Sequence, residues 1–178
     1  MHFPPLPPSD GWHPLVVHFP IALLATTPLL LLLALLWKKH RVGLSIAAFA
    51  VLALGTLGAF AATYTGELAE HQAKAVVGGK ALLHEHEEQA ELARNLFAGL
   101  TVLGGIGLLT LLVFGEKLSR KLVVISMIVL VLLNVAAMMV LAGAAHLGGR
   151  LVHELGVRAP LGGTVTSATP TGVVDHRD

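Results

Sequence analysis

Ten histidines and no cysteine in 178 residues make imidazole the side chain to begin with. It is the commonest metal ligand in proteins and an axial ligand to haem iron. The stretch His13-Pro14-Leu15-Val16-Val17-His18-Phe19-Pro20-Ile21-Ala22-Leu23 sets two histidines and two prolines at the mouth of a long apolar run. Pro14 suits a first helical position, where its missing N–H is no loss. Pro20 lies deeper and leaves the Val16 carbonyl without its helical partner. A ligating histidine usually has its second ring nitrogen fixed by such an acceptor, so the arrangement suits a metal or haem ligand. The competing interpretation is a proline-shaped helix start with histidines at a membrane interface.

The absence of cysteine excludes disulfides, iron–sulfur clusters held by thiolates, blue copper and covalently attached c-type haem. Any haem here is held noncovalently. Apolar residues make up 54% of the chain and charged ones 13%, and the mean hydropathy is +0.76. Those values belong to an integral membrane protein of one domain. A net charge of +1 without a basic patch argues against nucleic acid as a partner.

Four apolar spans carry the histidines. The first, from about Leu15 to Trp37, covers roughly 34 Å as helix, enough for a bilayer core. Lys38, Lys39, His40 and Arg41 end it. The second, about Val42 to Thr65, places Gly43, Ala47, Gly55, Gly58, Ala59 and Ala62 where helices can approach closely. Between Gly66 and Arg94 the composition turns to Glu, His, Gln and Lys around Gly78-Gly79, which predicts two helical extensions joined by a glycine turn. A third span (about Asn95 to Phe114) and a fourth (about Leu122 to Ala145) follow, linked by Gly115 to Lys121. The fold expected is all-α: a four-helix membrane bundle over residues 13–155, an extended external arm over 1–12 without the charged start of a signal peptide, and a flexible tail over 156–178.

Lys38, Lys39, Arg41, Lys117, Arg120 and Lys121 lie on one side of the membrane, predicted cytoplasmic. The expected location is a bacterial inner membrane with both termini periplasmic. This topology puts His13, His18, His71, His84, His86, His146 and His153 at the outer ends of the helices, with contributions from every helix to one layer. His40 lies at the inner side; His2 and His176 belong to the termini. Helical phase places His86 at the centre of an apolar face with Leu82, Leu83, Ala90, Ala93 and Phe97, and turns His84 toward Glu88 and Glu91. His146, Arg150 and His153 share a face if their helix continues through Gly148-Gly149.

The opening His-Pro-x-x-Val-His-Phe-Pro-Ile-Ala-Leu and the closing His-Leu-Gly-Gly-Arg-Leu-Val-His-Glu-Leu-Gly-Val resemble a bacterial family of small four-helix membrane proteins, domain of unknown function 2231, over roughly residues 10–158. The resemblance marks His13, His18, His146 and His153 as motif positions. Family members also occur fused to, or beside, c-type cytochrome and Rieske modules, which implies a redox setting and a partner of that kind.

The leading expectation is a b-type cytochrome, an electron carrier more than a stand-alone enzyme, with haem b held by His18, His86, His146, His153 or His13. Two imidazoles on opposite faces of the iron favour electron transfer over oxygen chemistry. Arg150 is the candidate partner of a haem propionate, or else an ordinary interfacial anchor. The alternative is a zinc, copper or iron ion held by His18, His86 and His146, or by His71 with Glu67 and Glu70, which share a helical stretch. A third class is a structural or assembly subunit of a redox complex; self-association is left open. No nucleophile and base pairing suggests a hydrolase.

Overall fold

The computed structural model describes residues 8–76 and 78–158, and all of its regular structure is helical. A single 3-10 turn, Ser9–Gly11, leads into α1 (His13–Val16), which is separated from α2 (His18–Leu36) by Val17 alone. The long helices follow as α3 (Arg41–Lys74), α4 (Gly79–Phe114) and α5 (Arg120–His153). The described parts of the expected arm and tail are residues 8–12 and 156–158; His2 and His176 lie outside the described residues.

The apolar runs and their breakers set these boundaries. Pro14 occupies the first turn of α1, where no N–H is needed. After Leu36 a 3-10 turn, Lys38–His40, reverses the chain. Arg41 reaches back from it, its Nε donating to the Ala34 carbonyl at 3.2 Å and its Nη2 to Leu35 at 3.5 Å. A cation on these orphan carbonyls caps α2 where the helix dipole is negative. Gly78, at φ 78°, supplies the left-handed residue between α3 and α4. Ser119 caps α5 by accepting from the Leu122 N–H at 3.2 Å.

Among the described residues, four helices are long and apolar enough to cross a membrane, counting α1 and α2 as one run. They form a ring in which α2 packs on α3 and α5, and α4 on α3 and α5. At its centre Leu24, Leu52, Phe97, Leu100 and Ala137 are buried together. Leu31, Ala48 and Val131 form a cluster toward the lysine-rich end, and Ala73, Leu82, Leu83, Leu147 and Leu151 one at the histidine-rich end. The outward surface is equally apolar, with Leu29, Leu57, Val102, Ile106, Leu132 and Met139 all more than half exposed. A helix hydrophobic on every side suits a bundle whose outer face meets lipid. Close approach of α2 and α3 rests on glycine: a Cβ at Gly55 would come within 2.8 Å of the Leu24 side chain.

The extensions predicted around Gly78-Gly79 are continuous with the spans. At 1.5 Å per residue, α3 and α4 run to about 50 Å, some 20 Å beyond a typical hydrocarbon core. Likewise α5 continues without a break through Gly148 and Gly149 to His153. The glycines there face no loss of regularity, because the buried Ala144, Leu147 and Leu151 hold that last stretch against its neighbours.

Candidate functional site

Two imidazoles from different helices meet at the histidine-rich end. His13 opens α1 and His86 lies two turns into α4; each is partly buried. Their ring centroids are 6.3 Å apart and their planes almost perpendicular, at 84°. Each ring is tethered through Nδ1 to a helix backbone. His13 donates to the Ala62 carbonyl of α3 at 3.0 Å, and His86 donates to the Ala144 carbonyl of α5 at 2.9 Å. A carbonyl can only accept, so the Nδ1 proton is fixed and the Nε2 lone pair of each neutral ring is left available as a ligand. This is the arrangement in which histidines bind metals.

The surroundings hold both rings in place. Asp10 ties the N-terminal turn to α3: its carbonyl accepts from Gln72 Nε2 at 3.3 Å, and its carboxylate lies 3.6 Å from His71 Nε2. The chain therefore enters α1 with His13 already against α3. Thr65, buried beside the ring, gives its hydroxyl proton to the Ala61 and Ala62 carbonyls. On the other side, a Cβ at Gly143 would overlap the side chain of Gln89, one turn below His86, so α4 and α5 sit close here.

The remaining sequence candidates stand apart from this pair. His18 is exposed, and its Nδ1 donates at 2.7 Å to the Pro14 carbonyl, not to that of Val16. A helical side chain leans back toward the N-terminus and reaches one full turn, so the carbonyl four residues earlier is within range and one two residues earlier is not. His146 and His153 are exposed on α5. His71 faces Asp10. His84 is exposed and pairs with Glu88 at 3.4 Å, as its helical phase suggested, whereas His86 points into the bundle. His40 lies in the turn at the far end. Arg150 reaches Glu154, the residue just past the end of its helix, Nε to both carboxylate oxygens at 3.0 Å.

Among the described residues, no group of three or more His, Asp or Glu side chains is arranged to hold a metal ion. His18, His86 and His146 are not brought together on one ion, nor are Glu67, Glu70 and His71. Glu70 instead pairs with Lys74 one turn on. The pair that does form, His13 with His86, offers two ring nitrogens, fewer than a lone metal ion takes up. Sequence phase could rank His86 but not His13, since His13 precedes any helical periodicity. Its acceptor is 49 positions away on another helix.

A family described as a predicted membrane protein, DUF2231, matches residues 10–160. No curated protein and no solved structure gives a significant match.

Proposed function

This chain belongs to the DUF2231 family of predicted membrane proteins, and we propose that it is a membrane-bound, b-type cytochrome-like electron-transfer protein holding haem noncovalently between His13 and His86. The observation that carries this reading is the pair of tethered imidazoles with free Nε2 atoms, 6.3 Å between centroids. Both rings keep a nitrogen that could ligate, and they are supplied by different helices. Haem supplies four ligands of its own and a one-electron iron couple, so two protein donors suffice where a lone zinc or copper ion needs more.

The residues then have separate tasks. His13 and His86 would hold the group, and two imidazole ligands would favour electron transfer over oxygen chemistry. The Ala62 and Ala144 carbonyls fix each ring's tautomer and raise its basicity. Arg150 would have to leave Glu154 to meet a propionate. The Lys and Arg of the two short connections support a bacterial inner membrane with both termini periplasmic, and hence a periplasmic redox partner such as a c-type cytochrome or Rieske protein.

The test is a reduced-minus-oxidised visible spectrum of the detergent-purified protein, with metal analysis of the same sample. A Soret band and a sharp reduced α-band, both lost in His13→Ala and His86→Ala, are expected. Stoichiometric zinc, copper or iron without those bands would replace haem by a bare ion. Neither signal would leave a structural or assembly subunit.

A further inference from the structure

The two imidazoles are held in the same manner by different helices, and the likeness extends along the chain. Setting His13 on His86 is a shift of 73 positions. The same shift lays Pro20, Leu24, Thr27 and Leu31 of α2 on Ala93, Phe97, Leu100 and Gly104 of α4, and all eight are buried. Setting the acceptor Ala62 on Ala144 is a shift of 82 positions, and it lays Gly66 on Gly148 and His71 on His153. It also lays the buried Leu52, Gly55 and Thr65 on the buried Asn134, Ala137 and Leu147. Any two helices can be slid until their buried faces coincide. Here the imidazoles and their acceptors fix the slide before burial is compared.

We infer that the chain is an internally duplicated helical hairpin, and that Gly66 and Gly148 are equivalent positioning residues, each uncovering the backbone carbonyl that holds one histidine of the pair. In an α-helix the Cβ leans toward the N-terminus and covers the carbonyl one turn earlier. Glycine at that place leaves the carbonyl open to a donor from outside the helix, and a carbonyl has a second lone pair to accept it. The fit is close on both sides. A Cβ at Gly66 would lie 3.2 Å from His13 Cε1 and 3.3 Å from its Nδ1. At Gly148 the corresponding distances to His86 are 3.1 and 3.5 Å. Either ring would have to move by a few tenths of an ångström. At Gly149, the next residue, a Cβ meets nothing within 4 Å. On the haem reading proposed above, on which the ligand identity rests, each half would supply one imidazole to the group in an equivalent way.

The experiment labels histidine with nitrogen-15 in the full chain and follows the Nδ1–H resonances by NMR, assigned by their loss in His13→Ala and His86→Ala. Gly66→Ala should shift or abolish the His13 resonance and spare that of His86; Gly148→Ala should do the reverse; Gly149→Ala should change neither. Both resonances unmoved in the two alanine variants would overturn the inference. Should Gly66→Ala fail to accumulate, the double variant with His13→Ala restores accumulation, because the ring it displaces is gone; a double variant that also fails counts against the proposal. Tethered resonances in a wild-type protein that binds no haem would refute the cytochrome reading and leave this inference standing.

Discussion

Asn134 sits near the middle of α5 with no exposed surface. Its Nδ2 donates to the Leu130 carbonyl at 2.9 Å, and its buried Oδ1 has no partner among the described residues. A buried acceptor without a donor costs about 1–3 kcal/mol, while one neutral hydrogen bond returns about 0.5–1.5 kcal/mol. The Leu130 carbonyl loses little when Nδ2 is removed, since it lies within a continuous helix. Leucine has the same branching and number of side-chain heavy atoms, and the position equivalent in the other hairpin, Leu52, already carries it at 2% exposure. Asn134→Leu is therefore expected to stabilise the protein by about 1 kcal/mol. Unfolding in mixed micelles with increasing SDS, followed by helical circular dichroism, reads this as a midpoint moved to higher SDS. The cofactor spectrum should not change, because Asn134 lies about 15 Å along the helix from Ala144. A midpoint that stays or falls would show that the amide is satisfied and that the energetic reasoning is wrong.

Two further outcomes test the site and the topology. In a histidine scan, His13→Ala and His86→Ala should remove the bound cofactor's spectrum, whereas the exposed His18, His84, His146 and His40 should be replaceable by Ala with full cofactor content; a full loss at His146 would place the site elsewhere. Cysteines introduced at Gly78 should react with a membrane-impermeant maleimide added to intact cells, and cysteines at Ser119 should not; the reverse pattern would invert the orientation.

The membrane helices were legible because hydropathy and length decide them with little competition. The four spans and the outer helical extensions needed no tertiary information. Phase along α4 was enough to separate His86 from His84, because Leu82, Leu83, Ala93 and Phe97 mark the buried face on both sides. The partner of His86 was not legible in that way. His13 lies ahead of the periodic segment, and what turns it inward is a contact with Ala62 together with the hold of Gln72 on Asp10. His18 and His146, favoured by depth, proved exposed because depth along a helix says nothing of the direction in which a ring points. The repeated Ala-x-x-x-Gly step was present in the sequence as a signal, but small residues at four-residue spacing occur throughout this chain, and only the imidazoles distinguish these two.

The overhang of α3 and α4 has an electrical meaning. His86 is 28 residues from the far end of α4 at Phe114, about 42 Å, while the hydrocarbon layer accounts for about 30 Å of that. A hydrocarbon layer that begins at the Phe114 end would thus leave the histidine pair at its edge, outside most of the dielectric slab across which a membrane potential drops. On the haem reading proposed above, an electron that arrives there and departs toward the same aqueous phase would traverse almost none of that potential. The full field would otherwise act on it with about 2.3 kcal/mol per 100 mV. Traffic through this centre would neither build the membrane voltage nor be throttled by it, and its rate in energised and uncoupled vesicles would be the same.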